Sequence, residues 1–445
     1  MTEKTRVVIL GGGFGGMYAA LEFERALARG ADLEVTLVNR DNFFLFTPML
    51  HEVAASDLDL TDIVNPVRKL FQRVTFFHGE VDFIDLVTKQ VVVSHGHEHH
   101  GHALPYDHLI LALGSVTNFF NLPGLAERAL TMKSLGDAIF LRNRMIANLE
   151  EADFECCPKV RAPLLNFVVA GGGFAGVETV AGMNDFLREA VRFYPHLRED
   201  MLRVVLVHPG KVILPELSES LGAYAQQKLQ ARHIEIHSNC KVLSATDRDV
   251  TLSDGTTITT NTLVWTAGTR PNPLLDALSC GKERGRIRVT EYLEVPEWPG
   301  VWALGDCALV PDRRTGEAHP PTAQHALREG KVAAQNILAA IGHGCRKPFV
   351  FSTLGQLAAI GRRTGVANIL GVNFSGFFAW WLWRTIYLLK LPRVEKKIRV
   401  AIEWTLDVLF SKDLVQFQTM RGRAPASVST TPPVIDLAAE QVGTR

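Results

Sequence analysis

The sequence predicts an α/β protein in which one unit of strand, glycine loop, helix and strand is used twice, followed by a C-terminal segment of different composition. Three observations carry this: glycine loops of equal spacing at Gly11 and Gly171, apolar runs before and after each loop, and a crowd of aromatic and basic residues from Phe374 onward. At 445 residues the chain exceeds one ordinary hydrophobic core, so two or three domains are expected. Lys plus Arg and Asp plus Glu both number 47, and this balance gives no reason to expect a nucleic-acid partner. Six scattered cysteines with no Cys-x-x-Cys pair make no disulfide framework, and buried or inert thiols are expected.

Taken in order, Arg6 to Leu10 reads as a buried strand, and its position leaves no room for a signal peptide, so the cytoplasmic side is expected. Gly11, Gly13 and Gly16 follow with G-x-G-x-x-G spacing, then a helix from Met17 to Arg29 and a strand from Leu33 to Val38. That spacing provides a tight turn, close approach of backbone to a pyrophosphate, and close helix packing, with the helix N-terminus facing the phosphates. A single such loop is a weak signal. Here Leu165 to Ala170, Gly171, Gly173 and Gly176, a helical stretch, and Leu202 to Val207 repeat the arrangement. Two occurrences in one context predict two Rossmann-like dinucleotide-binding domains.

Each unit has a later partner strand. Tyr106 to Ser115 ends in Ala112 and Gly114, Thr262 to Arg270 contains Gly268, and small residues there let backbone approach a ligand. Asp306, at the end of the run from Gly300 to Ala308, is placed to accept a hydrogen bond from a polyol or ribose hydroxyl. His95, His97, His99, His100 and His102 read as a solvated hairpin loop rather than a metal site. Phe377, Phe378, Trp380, Trp381, Trp383 and Tyr387, then Lys390, Arg393, Lys396, Lys397 and Arg399, with Trp404 beyond, predict a helix lying in a membrane interface. A core-packing helix or a dimer contact is the alternative. No apolar run reaches the roughly 18 to 20 residues of a spanning helix.

These motifs resemble the two-dinucleotide-binding-domain flavoproteins, and among them the type II NADH:quinone oxidoreductases, over approximately residues 5 to 420. The resemblance implies FAD at Gly11, Gly13, Phe14, Gly16 and Asp306, with Thr47 and Pro48 in a segment beside the isoalloxazine ring, and Ala112 and Gly114 nearby. It implies NADH at Gly171, Gly173 and Gly176, with Gly268 at the matching strand end, and Glu178 near the contact of nicotinamide and flavin. The expected organisation is a discontinuous FAD domain of residues 1–120 and 285–342, an NAD(P)H domain of residues 121–284, a membrane-associating α/β region of residues 343–423, and a disordered tail of residues 424–445.

The chain departs from that family's pattern twice. His208 stands where an acidic residue would bond the adenine ribose, followed by Lys211, which leaves NADPH open beside NADH. In the segment Ala323 to Arg328, Gln324 keeps the family's first glutamine, a contact for flavin and quinone, but Arg328 replaces the second. A helix from the N-cap Thr322 to Gly342 would put both on one face. The implied activity is transfer of two electrons from NAD(P)H through FAD to a quinone without proton pumping. Glu178 would orient the nicotinamide or hold water, and Gln324 and Arg328 would meet the acceptor. The enzyme would sit peripherally on the cytoplasmic face of the cell membrane, with a homodimer left open. Two rivals remain at this point: a sulfide:quinone oxidoreductase using Cys157 and Cys345, and a slow flavin sensor.

Overall fold

The computed structural model describes residues 4–417. The Ala424 to Arg445 tail lies outside them, as does the end of the expected C-terminal region. The first apolar run forms the strand Thr5–Leu10, buried from Val7 onward as a strand covered on both faces must be. It is the centre of a parallel five-stranded sheet ordered Val301–Ala303, His108–Leu111, Thr5–Leu10, Leu33–Asn39, Thr75–His78. The helix Phe14–Ala28 makes the first crossing.

The second unit repeats this order. Thr262–Trp265, Asn166–Ala170, Arg203–Val207 and Ile234–His237 form a parallel four-stranded sheet, with the helix Phe174–Ala190 making the crossing. Val8 pairs with Thr36 and Leu109, and Val168 pairs with Val205 and Leu263, so the central strand has the same two kinds of neighbour in each sheet. The fifth strand of the first sheet, Val301–Ala303, comes from chain that has already passed through the second. An antiparallel pair, Ser115–Thr117 with Thr269–Pro271, ties the two units where their partner strands end.

The helix Ala323–Ala340 lies along Phe14–Ala28. Their approach depends on absent side chains: a Cβ on Gly330 would stand 2.1 Å from the Gly15 carbonyl oxygen. Thr322 precedes this helix as expected but caps no backbone N–H. Its hydroxyl pairs with His325 Nδ1 at 2.7 Å, and the helix stops at Ala340 rather than Gly342.

Other expectations need correction. His95, His100 and His102 belong to the paired strands Gln90–His95 and His100–Pro105, with only His97 and His99 in the turn. Cross-strand register stacks His95 on His102, with ring centroids 4.9 Å apart, so the segment is a paired hairpin rather than a loop, with His95, His97, His99 and His100 exposed to solvent as expected. Cys156, Cys157 and Cys345 are exposed, whereas Cys240 and Cys307 are buried.

The C-terminal segment is the antiparallel sheet Gly355–Ala359, Gly365–Ile369, Val372–Ser375, followed by the helices Gly376–Lys390 and Val394–Leu409. No helix among the described residues is long and apolar enough to cross a membrane. The aromatic cluster divides by helical face: Phe377, Phe378 and Trp381 point outward, while Trp383 and Trp404 are buried and Tyr387 faces a cavity. Lys396 also turns inward, to the carbonyl of Thr61. Trp383, Trp404, Tyr387 and Lys396 are therefore internal, because residues three or four apart share a face and those one or two apart do not.

Candidate active site

The three glycines of the first loop are needed for different reasons. Gly11 has φ +100°, and a Cβ there would lie 2.3 Å from the Ala112 carbonyl oxygen; on Gly16 it would lie 1.9 Å from that of Gly11. A Cβ on Gly13 would meet nothing within 4 Å. Gly11 and Gly16 thus let the chain fold, whereas Gly13 keeps space free beside the loop. Gly13 also precedes the helix Phe14–Ala28 without side-chain capping, which leaves its first N–H groups and positive dipole end for an anion.

That loop opens onto a cavity of about 590 Å³. Its lining includes Gly11, Gly13, Phe14 and Asn39 from the first unit, with Thr47, Pro48, Ala112, Gly114 and Asp306, and also Glu178, Thr179 and Gly268 from the second unit and Tyr387 from the C-terminal helix. Residues from both Rossmann-like units and from the C-terminal helices meet there. Ser115 Oγ donates to Asp306 Oδ2 at 2.6 Å, and Lys133 Nζ donates to Ser115 Oγ at 3.0 Å, which fixes the Asp306 carboxylate at the cavity wall. Behind it, the buried Glu329 accepts the Gly305 N–H at 2.7 Å, and burial pushes its carboxyl up to about 7.

Glu178, on the helix that follows the second glycine loop, forms part of the cavity floor. Its Oε1 accepts N–H groups from Trp383 Nε1 at 3.0 Å and Ala359 at 3.1 Å, while Oε2 stands 3.7 Å from His51 Nδ1. Burial pushes the Glu178 carboxyl up to about 8 and the His51 imidazole down to about 4. Burial therefore favours the uncharged form of both groups over an ion pair. With both donors on Oε1, the proton belongs on Oε2.

The second loop repeats the logic of the first. Gly171 has φ +119°, and a Cβ on Gly176 would lie 1.8 Å from the Gly171 carbonyl oxygen. Gly173 precedes the helix Phe174–Ala190, again uncapped by a side chain, and its nearest side-chain neighbour is Glu216. His208 does not face the cavity. Its ring is buried, Nδ1 accepts the Gly172 N–H at 3.2 Å, and burial lowers its pKa. Asn39 does the same in the first unit, accepting the Gly12 N–H at 2.7 Å. In this structure the His208 ring thus supports the second loop from beneath, through Gly172. Lys211 is exposed and paired with Glu219 at 3.3 Å.

Gln324 and Arg328 do share a helix face, but neither lines the cavity. Gln324 Nε2 donates to the Gly355 carbonyl at 3.3 Å; Arg328 donates to the Gln324 carbonyl at 2.7 Å, with its guanidinium carbon 4.0 Å from the centre of the Phe351 ring. Gly16, Gly171, Gly173 and Gly176 also lie outside the cavity wall. Cys157 and Cys345 are exposed and away from it, so the sulfide-oxidising arrangement is absent from these residues. Sequence reading missed Asn39, His51, Ser115, Lys133 and Glu216. Only Asn39 had a signal, its place at the end of the second strand.

Comparison with known proteins gives the same picture. Residues 5–330 match the pyridine nucleotide-disulphide oxidoreductase family model, and residues 354–413 match that of the NDH2 C-terminal domain. The type II NADH:quinone oxidoreductase Ndh of Mycobacterium tuberculosis is 33% identical over 428 residues, covering 92% of this chain and 89% of that protein. The demethylphylloquinone reductase NdbB of Synechocystis is 32% identical over 412 residues, covering 91% and 96%. The solved structure of NDH2 from Plasmodium falciparum in complex with NADH superposes with a TM-score of 0.87, covering 93% of this chain and all of that one; at 19% identity it speaks for the fold alone. With both family models matched in order and these relatives aligned over nearly their whole length, the chain belongs to the FAD-dependent type II NADH:quinone oxidoreductase family.

Proposed function

We infer that this chain oxidises NADH and reduces a membrane-dissolved quinone, with Glu178 holding the proton that completes the quinol. The single observation that carries the reading is the cavity in which the first glycine loop, the helix after the second, and the C-terminal helix all meet. FAD, when bound, supplies the two-electron redox chemistry. The cavity suits it: the N–H groups after Gly13 would hold its pyrophosphate, and Asp306, held by Ser115, would accept from a polyol hydroxyl.

Glu216, beside Gly173, is the carboxylate placed to accept from an adenine ribose hydroxyl, and it would repel a 2′-phosphate. With His208 uncharged, this favours NADH over NADPH. Hydride from NADH brings two electrons and one proton, whereas reducing a quinone to a quinol takes two electrons and two protons. The protonated Oε2 of Glu178 holds the missing proton at the cavity floor. A second cavity of about 40 Å³, bordered by Glu178, Glu52, Asp57 and Lys412, has room for about one water through which that proton is replaced.

The outward residues Phe377, Phe378 and Trp381, with Val394, Ile398, Ile402 and Leu409 on the following helix, form an apolar surface beside Lys390, Lys397 and Arg399. We assign this surface to peripheral attachment on the cytoplasmic face, where NADH is available and quinone can enter.

The test is anaerobic. NADH should bleach the flavin absorbance faster than NADPH, and a soluble quinone should restore it. In Glu178→Gln, reoxidation by quinone should slow by about tenfold or more, and more than reduction does. Equal slowing of both half-reactions would remove the proton role, and no bleaching by either nucleotide would overturn the reading as a whole.

A further inference from the structure

On the far side of the second glycine loop, three side chains of different chemistry converge. His237 ends the strand Ile234–His237, Cys240 follows in the next turn, and Asp254 comes from the turn after Asp249–Leu252. Their donor atoms all lie within 4.8 Å of one another, and His237 Nδ1 stands 3.7 Å from Asp254 Oδ2. Ligands around a tetrahedral ion with bonds of about 2.0–2.3 Å stand roughly 3.3–3.8 Å apart. Asp254 is exposed, so a small rotation of its side chain closes the remaining gap.

The surroundings fit a metal independently of these distances. His237 Nε2 lies 2.6 Å from Glu235 Oε1, and Arg203 grips the Glu235 carboxylate through two N–H groups at 2.8 and 3.0 Å. A carboxylate only accepts, so Nε2 carries hydrogen and Nδ1 is left as the metal-facing atom. A histidine whose second nitrogen donates to an anchored carboxylate is the arrangement that orients metal-bound imidazoles. Asp254 Oδ1 is occupied by the Thr256 N–H at 2.9 Å, leaving Oδ2 for the site. The Ser253 hydroxyl, whose oxygen accepts the Lys241 N–H, turns its own hydrogen to the Cys240 sulfur at 3.7 Å.

We propose that His237, Cys240 and Asp254 bind one divalent ion of the zinc type, with solvent in the fourth position. The mixed nitrogen, sulfur and oxygen set selects a borderline-soft ion over magnesium or calcium. The site is coupled by backbone to the nucleotide loop: Cys240 N–H donates to the His208 carbonyl at 3.0 Å, and His208 N–H donates to that of His237 at 2.9 Å. An ion would stiffen the strut beneath Gly172.

The test titrates cobalt(II) into the full-length, flavin-loaded protein, reading the ligand-field bands of tetrahedral cobalt, which lie to the red of flavin absorbance, and then displaces it with zinc. Saturation at one equivalent is expected, with the bands lost in Cys240→Ser and affinity reduced about tenfold or more in Asp254→Asn and in Glu235→Ala, which removes no ligand. Asp254 is on the surface, so its variant reports even where Cys240→Ser fails to fold. Absence of saturable binding, or binding unchanged in Asp254→Asn or Cys240→Ser, overturns the proposal.

Discussion

Glycines of identical spacing are not interchangeable, because what each would touch differs. Gly16→Ala pushes a methyl group into the Gly11 carbonyl and should lower the yield of folded protein. Gly13→Ala meets only empty space in the protein and should fold normally, yet lose most of its FAD because the methyl group occupies the room kept beside the phosphates. Circular dichroism together with flavin content separates the two, and a Gly13→Ala protein with full flavin would remove that loop from the cofactor site. Glu216 carries a second prediction. Losing an acceptor for a ribose hydroxyl costs about 1 kcal/mol or more, so Glu216→Ala, which removes both carboxylate oxygens, should raise the KM for NADH several-fold while changing that for NADPH little or lowering it. Steady-state kinetics with both nucleotides reads this directly, and an unchanged ratio between them would return the ribose contact to another residue.

Secondary-structure elements reveal what a list of aromatic residues cannot. The helices Gly376–Lys390 and Val394–Leu409 each carry two apolar faces, one closing the protein around Glu178 and Glu52 through Trp383 and Trp404, the other exposed. Ile398 and Ile402 lie one turn apart on the outward face, 56% and 54% exposed, so replacing them does not disturb the inner one. The double variant Ile398→Glu, Ile402→Glu should fold with normal thermal stability and bind vesicles containing anionic lipid about tenfold or more weakly. Cosedimentation measures this. Undiminished vesicle binding would mean that the surface serves another contact.

Across the molecule, the buried carboxyls join the C-terminal helices to the wall of the main cavity. Glu52 accepts the Trp404 Nε1–H at 2.9 Å, and burial pushes its carboxyl up to about 8, as it does that of Glu178. Both values are raised above the unfolded value of 4.5, so the folded protein holds extra protons between the two. The stability they contribute is fully present below the unfolded value and is lost as pH rises through about 8. The melting temperature should therefore fall between pH 6 and pH 9, and Glu52→Gln, which cannot ionise, should flatten that fall. A variant melting curve that shifts equally at both pH values would show that Glu52 is already charged in the folded protein.

The sequence by itself determined the paired α/β units, both glycine loops and the place of Asp306, because strand periodicity and glycine spacing are local and the backbone requires them wherever they occur. It also flagged the aromatic and basic C-terminal segment. Only the tertiary structure decided which aromatics face inward, that His208 supports the second loop through Gly172, and that Gln324 and Arg328 stand outside the cavity wall. Those outcomes depend on burial and on partners distant in sequence: Glu178 meets Trp383, His51 and Ala359, and Asp306 meets Ser115. Spacing along a chain fixes which face of an element a residue occupies, but what that face meets, and hence whether a carboxyl keeps its proton, is set by packing between elements.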